Sequence, residues 1–399
     1  MLATLPTDHY HKLVFNLDEL TIDDNALQTL RKKFAVSIQE GLEHQNTQIA
    51  ALPTFLERAP SQKSGECLVL DCGGTNIRAA RVHLKDDQSI EVVAGPVTGA
   101  VPDSSSGTPA DVFLDRHVDL LQQLGDISGL PLGYCFSYPS ENSRTGDAKL
   151  LRWTKGLQFE GMVGEYVGEL LVEACRLRSI EITKVNVLND TVATLFANKL
   201  LDDATHIGLI VGTGTNMATF ASGRHLRKCE DWPEDHWMAV NLESGNLALP
   251  HLTEVDRLVD ESSSNPKRQT FEKAVSGMYL PKLLMEICPE AQNITSAESL
   301  VNWSESHKDL PLGIVSRRLL TRSARLVASG LAAVFDVASD VKKSPRIQVS
   351  AEGSLFWGDP LYKAEVHSTL QALFDGEIEA SFQSTSHANL IGAARAVLS

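Results

Sequence analysis

Little in this sequence invites a polyanion. Thirty-six Lys and Arg face 51 Asp and Glu over 399 residues, a formal net charge of −15. A basic stripe for nucleic acid and a polybasic face for a membrane surface are both missing, so neither partner is expected. Cysteine is sparse: Cys67, Cys72, Cys135, Cys175, Cys229 and Cys288 are scattered and form no C-x-x-C pair. They read as reduced structural thiols of a cytosolic protein rather than a disulfide framework. No run approaches the ~18–20 apolar residues of a membrane span. The opening MLATLPTDHYHKLVFNLDEL lacks the basic lead, apolar run and cleavage site of a secretory signal. A cytoplasmic location is therefore expected, and the N-x-S/T sequons at Asn189, Asn293 and Asn302 read as chance. The commoner nucleotide signatures are absent too. There is no GxxxxGKS/T loop, GTGTNM is not the dinucleotide GxGxxG, and the protein-kinase set is missing.

What is present is an ordinary globular balance, 43% apolar and 22% charged. The length suits about two domains of roughly 100–200 residues. Leu27, Leu30, Phe34, Ile38 and Leu42 predict helix within 21–60, broken at Pro53 and again by the stretch 59–65. Strand–turn–strand is expected at 67–84 and 207–223, strands at 131–139 and 347–357, and strand passing into helix over 185–201. Further helices are expected at 111–125, 162–178, 270–287, 317–340 and the C-terminus, with a Gly/Pro/Ser-rich loop at 94–110. Strands alternating with helices indicate α/β architecture.

VLDCGGTNIRAARV and LIVGTGTNMATF are two copies of one device, about 140 residues apart. Each is a buried strand, a Gly/Thr turn and a returning strand. Gly73-Gly74-Thr75 and Gly212-Thr213-Gly214 can present successive backbone N–H groups to phosphate oxygens. Either alone is equally an ordinary hairpin whose glycines serve a positive φ; the matched pair favours phosphate. Asp71, before the first turn, can hold Mg²⁺ through water or simply cap the turn. Asp190, closing an apolar strand, is placed either for catalysis or for capping the helix that follows.

Several motifs in order resemble the eukaryotic-type hexokinase/glucokinase family, within the sugar kinase, Hsp70 and actin superfamily. They are LVLDCGGTNIRAARV, CFSYP (with Tyr138 in place of Phe), LLRWTKG, VLNDTVATL, IGLIVGTGTN, MAVNLESG and RLVDESSSNPKRQTFEKAVSGMYL. The resemblance implies two ribonuclease-H-like α/β domains, the actin/hexokinase-like fold, with an interdomain cleft that closes on the sugar. The expected small domain is 62–193, with the helix 387–399 packed back onto it; 1–61 and 194–386 form the larger one.

It also implies an ATP-dependent hexose kinase that moves the γ-phosphoryl of Mg-ATP to the 6-hydroxyl of glucose or a related hexose. Asp190 would be the general base, with Lys155 supplying positive charge. The sugar would meet Ser137, Thr154, Lys155, Asn189, Asp190, Asn216, Glu243 and Glu261. The nucleotide would meet Asp71, Gly73, Gly74, Thr75, Asn76, Arg78, Gly212, Thr213, Gly214, Gly353 and Ser354, with Asp71 positioning Mg²⁺. ATP and a hexose are the expected partners. Rival readings are a kinase for mannose, fructose, glucosamine or an N-acetylhexosamine, a weakly active sugar sensor, and an Hsp70- or actin-like ATPase. The chain departs from the family pattern at Ser244, at Ser140-Glu141 and at Ala351-Glu352-Gly353-Ser354.

Overall fold

The computed structural model describes residues 17–58, 63–105, 107–338 and 344–399. The reading of residues 1–16, most of the expected break at 59–65 and the end of the helix expected at 317–340 lie outside them. The chain begins with helix α1 (Asp24–Glu43) and strands β1 (Leu52–Glu57), β2 (Gly65–Cys72), β3 (Asn76–Leu84) and β4 (Ile90–Ala100). Helix α2 (Ala110–Gln122), strands β5 (Leu130–Phe136), β6 (Ser140–Asn142) and β7 (Ala148–Leu150), and helix α3 (Val167–Leu177) follow. Next come β8 (Ile182–Leu188), α4 (Asp190–Phe196), β9 (Thr205–Val211), β10 (Thr215–Ser222) and β11 (Trp237–Asn241). Helices α5 (Glu254–Glu261), α6 (Thr270–Val275), α7 (Leu280–Ile287), α8 (Ala297–Ser306) and α9 (Pro311–Ala338) form a long helical stretch. The last elements are β12 (Arg346–Glu352), α10 (Ser354–Gly358), α11 (Pro360–Leu373), β13 (Glu379–Gln383) and α12 (Ala388–Val397).

The chain divides into two units. One holds Met1–Ala51, Asp203–Met217 and Leu242–Phe382; the other holds Leu52–Asp202, Ala218–Asn241 and Gln383–Ser399. Both mix helices with parallel and antiparallel strands, an α/β fold. In the second unit a five-stranded sheet runs in the order β4-β3-β2-β5-β8, with β2, β5 and β8 parallel. Its central strands β2 and β5 are buried on both faces because both are covered. Leu68, Leu70 and Phe136 join Phe113, Leu121 and Leu171 of α2 and α3. Val69, Cys135 and Leu188 join Val192 and Phe196 of α4 and Leu390 and Ala393 of α12. Helix α12 lies very close: a Cβ on Gly392 would sit 1.8 Å from Ala193 O, and one on Gly133 2.3 Å from Ala393 O.

In the first unit β9 and β12 run parallel, from Thr205 opposite Ile347 to Ile210 opposite Glu352. The 28-residue α9 packs on α1, where Ser329 donates to Leu27 O and Arg31 pairs with Asp336 at 2.7 Å. Phe34 of α1 meets Phe271 of α6 edge-on at 5.2 Å.

Three expectations give way. The loop expected at 94–110 is strand as far as Ala100, paired with β3 from Ile90 opposite Leu84 to Ala100 opposite Asn76. As an edge strand it can tolerate Pro96, whose missing N–H need not break a ladder. The helical reading of 21–60 stops at Glu43, and Leu52–Glu57 is a strand paired with β11. The helix expected at 270–287 splits after Val275, because Gly277 turns its N–H to Gly212 O at 2.7 Å. Among the described residues no helix is long and apolar enough to cross a membrane.

Candidate active site

Parallel strands bring the predicted groups of the second unit to one edge. Asp71 of β2 lies opposite Cys135 of β5, and Cys135 opposite Leu188 of β8. The C-terminal ends of these strands therefore carry Asp71, Ser137 and Asn189-Asp190 side by side, the usual ligand edge of a parallel sheet. Asp71 is only 7% exposed; it accepts from Asn389 Nδ2 at 3.1 Å and lies 3.5 Å from Arg78 Nη1, its cross-strand neighbour. Burial pushes its carboxyl above the usual value, against the Asn389 hydrogen bond and Arg78, which favour the charge; the Asp190 charge adds a smaller upward push.

Helix α4 starts at Asp190, and its cap is Asn189, whose Oδ1 accepts from Thr191 N at 2.8 Å. The capping role weighed for Asp190 thus falls chiefly to its neighbour. Asp190 Oδ1 accepts from Thr191 N at 2.8 Å and from its hydroxyl at 3.3 Å, which fixes the carboxylate. Oδ2 makes no hydrogen bond among the described residues.

The CFSYP segment lies against the first hairpin. Ser137 N donates to Cys72 O at 3.2 Å. Lys155 stands in the left-handed region with φ 60°, followed by Gly156 at φ 78°, an uncommon and costly backbone for lysine. That turn sends its stem across Gly74, where an added Cβ would meet Lys155 Cδ at 2.7 Å. Its Nζ donates to Ser137 O at 2.9 Å. Thr154 is half-buried and accepts from Leu157 N at 3.2 Å through its carbonyl. Thr75, Asn76 and Arg78 are exposed on the hairpin.

In the first unit the second hairpin, Gly212-Thr213-Gly214, is closed by Gly212 N on Gly214 O at 3.0 Å. Gly277 N and Met278 N reach Gly212 O and Thr213 O at 2.7 and 3.2 Å. Gly353, at φ 118°, presses on it from β12: a Cβ there would lie 2.1 Å from Val211 O. A cavity of about 890 Å³ opens beside the hairpin, lined in part by Gly212, Thr213, Lys282, Ser296, Ser354 and Trp357. Asn216 Oδ1 accepts from Ser244 N at 3.1 Å, which ties it to the turn bearing Glu243, itself left-handed at φ 56°.

Glu261 is exposed at the end of α5. The rest of its motif holds the backbone in place: Lys273, 3% exposed, donates to Asp260 Oδ1, Ser263 Oγ and Asn265 O at 2.7, 2.8 and 2.9 Å. Sequence reading missed Asn389, Glu272 (which accepts from Thr215 N at 3.1 Å) and the cavity wall at Lys282 and Ser296. None belongs to a recognisable short pattern. The Tyr138 substitution was visible, but its contact was not.

None of Gly73, Gly74, Gly212 and Gly214 lies in the left-handed region. The φ explanation for these glycines therefore fails. Three of them sit against neighbours: Lys155 for Gly74, Gly353 for Gly212 and Glu272 for Gly214. A Cβ on Gly73 would meet only Asn76 O, at an ordinary 3.8 Å.

Carboxylates at strand ends, an exposed lysine and two glycine turns with exposed threonines suit phosphoryl transfer to a hydroxyl. The family described as Hexokinase matches in two parts, the first over residues 15–200 and the second over 206–306 and 290–399. The chain is 28% identical to the hexokinase of Kluyveromyces lactis, covering 90% of this chain and 84% of that one. It is 30% identical to human hexokinase-2 over 94% of this chain but 47% of the relative, so it spans about half the human protein's length. Among solved structures, the Schistosoma mansoni hexokinase complexed with glucose superposes with a TM-score of 0.81 at 22% identity, covering 98% and 99% of the two chains. A second hexokinase structure reaches 0.84, also at 22% identity. The chain belongs to the hexokinase family, phosphotransferases that act on a hexose.

Proposed function

We propose that this chain transfers the γ-phosphoryl of Mg-ATP to the 6-hydroxyl of glucose or a closely related hexose. Asp190 is the general base: its carboxylate is oriented through Oδ1 while Oδ2 is left to take the hydroxyl proton. Lys155 and Arg78 supply positive charge toward the transferring group, since phosphoryl transfer needs mainly alignment and charge neutralisation. Ser137, Thr154, Asn189, Asn216, Glu243 and Glu261 are the hydroxyl partners. Amides and carboxylates suit a polyhydroxy ligand, and each unmatched one penalises the wrong sugar.

Nucleotide phosphates meet the hairpin at Gly73-Gly74-Thr75-Asn76 and the hairpin at Gly212-Thr213-Gly214. The cavity edged by Gly353 and Ser354 suits the nucleoside. Among the described residues no group of three or more His, Cys, Asp or Glu could hold a resident metal. The single carboxylate of Asp71 fits Mg²⁺ that keeps most of its water and arrives with the nucleotide. Bound there, the ion neutralises phosphate charge. The cysteines, all buried and unpaired, support a reducing, cytoplasmic setting.

The observation that carries this reading is Gly73. Neither its φ nor its neighbours explain the missing side chain, whereas close approach of a phosphate does. A coupled ADP-release assay with Mg-ATP over a panel of hexoses tests it, with glucose expected among the accepted sugars. If no hexose is turned over, the reading fails. Asp190→Ala is expected to lose ~10²–10⁴-fold in kcat; full retained activity would remove Asp190 as the base.

A further inference from the structure

Tyr138 stands where the family pattern has phenylalanine, and its hydroxyl has a specific partner. It donates to Gly73 O at 2.6 Å. The ring is 2% exposed and wedged between Phe136 and Trp153, with centroids at 4.8 and 5.0 Å, so the hydroxyl has a fixed address. The acceptor carbonyl belongs to the Gly73–Gly74 peptide, which is flanked by two glycines and therefore among the least restrained units in the chain. A trans peptide is planar, so its C=O and N–H point in opposite directions. Holding Gly73 O inward on Tyr138 turns Gly74 N–H outward. Among the described residues that N–H donates no hydrogen bond. The Lys155 stem lies against Gly74, and Lys155 Nζ is 5.1 Å from the Tyr138 ring centroid.

We infer that Tyr138 is a positioning residue: its hydroxyl locks the Gly73–Gly74 peptide so that Gly74 N–H is preset as a donor to nucleotide phosphate. A flip of that peptide would break the hydroxyl's bond to Gly73 O and leave it only the Cys72 sulfur, a weak acceptor, which shifts the flip equilibrium by up to roughly tenfold. Phenylalanine at this position fills the same space and gives no such lock. A donor already aimed at the developing charge needs no reorganisation during transfer. The lock also joins two functional segments, since the residue before Tyr138 is the proposed sugar ligand Ser137 and the residue it holds lies on the phosphate hairpin.

The inference rests on the hexokinase reading, and Tyr138→Phe separates the two. The variant keeps the ring and removes one oxygen. Initial rates are measured for wild type and variant with Mg-ATP and glucose each varied at saturating partner, alongside thermal unfolding. The expected result is a five- to tenfold fall in kcat/KM for ATP, in the range of one net hydrogen bond. KM for glucose stays within about twofold and the unfolding midpoint is little changed. A kcat/KM for ATP within about twofold of wild type overturns the lock. So does a glucose KM that rises as much as the ATP term falls, since that marks Tyr138 as mere support for the Ser137 loop. Wild type inactive on every hexose sinks the underlying reading instead.

Discussion

The first hairpin, between β2 and β3, carries main-chain bonds from Val101 N to Thr75 O and from Ser137 N to Cys72 O, but the glycines of its turn are braced by side chains: the Tyr138 hydroxyl on Gly73 O and the Lys155 stem across Gly74. The second, between β9 and β10, is braced mainly by backbone. Gly277 and Met278 donate main-chain N–H groups to it and Gly353 abuts it through Cα, while Glu272 and the Thr215 hydroxyl each add one side-chain bond. The carboxylate differs too. Two residues before its first glycine the first hairpin has Asp71, and the second has Ile210. A side-chain brace can be removed or retuned one residue at a time. A main-chain brace ties the hairpin to the fold, so its failures should be failures of folding.

The largest effect should therefore come from the second hairpin's backbone contact. Gly353→Ala places a methyl 2.1 Å from Val211 O at φ 118°, where alanine is strained whatever the space. It is expected to cost about 3–5 kcal/mol of stability, the range of severe steric or strained-backbone substitutions. Urea unfolding of wild type and variant measures it. A loss below about 1 kcal/mol would show that the strands shift easily and that the two braces do not differ in kind.

Gly73→Ala is the counterpart at the first hairpin. Its Cβ meets nothing closer than 3.8 Å, so stability should change by less than about 0.5 kcal/mol. The kcat/KM for ATP should nonetheless fall by ten- to a hundredfold, about 1.4–2.7 kcal/mol, because the methyl stands where phosphate approaches. The two measurements on one variant sharpen the contrast: function lost with folding intact. Equal losses in both would dissolve it.

The sequence discloses these hairpins as a repeat because their leading strands are apolar and their turns are small, and both properties are local. The strand-end positions of Asp71, Ser137 and Asp190 follow once β2, β5 and β8 are parallel neighbours, so that much of the site was legible. The braces were not, because they join residues far apart in the chain. Asn389 reaches Asp71 across 318 positions, and Glu272 reaches Thr215 across 57. Strand β4 was misread for a different reason: Gly and Pro mark loops on average, but β3 offered an unpaired edge, and pairing overrode the composition. Around Glu261, the one ligand expected from the DESSSNP stretch, the rest is an anchored turn, because a buried Lys273 gathers its polar groups.

The smallest effect tests whether the Asp71 charge is what sets the first hairpin apart. Burial already raises the Asp71 carboxyl above its usual value, and the Asn389 amide opposes that by favouring the ionised form. Removing the amide in Asn389→Ala should raise it further, because the ionised form loses a hydrogen bond that favours it. The sign for stability follows from the raised position. The folded chain holds this proton more tightly than the unfolded one, so the group's contribution is complete below the unfolded value and is lost as pH rises through the folded one. In the variant that window extends upward. For activity the working form is the carboxylate, so the acid limb of kcat/KM for ATP should move to higher pH while the plateau is kept. A pH–rate profile of the two proteins reads this directly. An acid limb that stays in place, with the Gly73→Ala loss confirmed, would mean that the backbone donors of the first hairpin hold the nucleotide without help from the Asp71 charge. The two hairpins would then differ in their bracing alone.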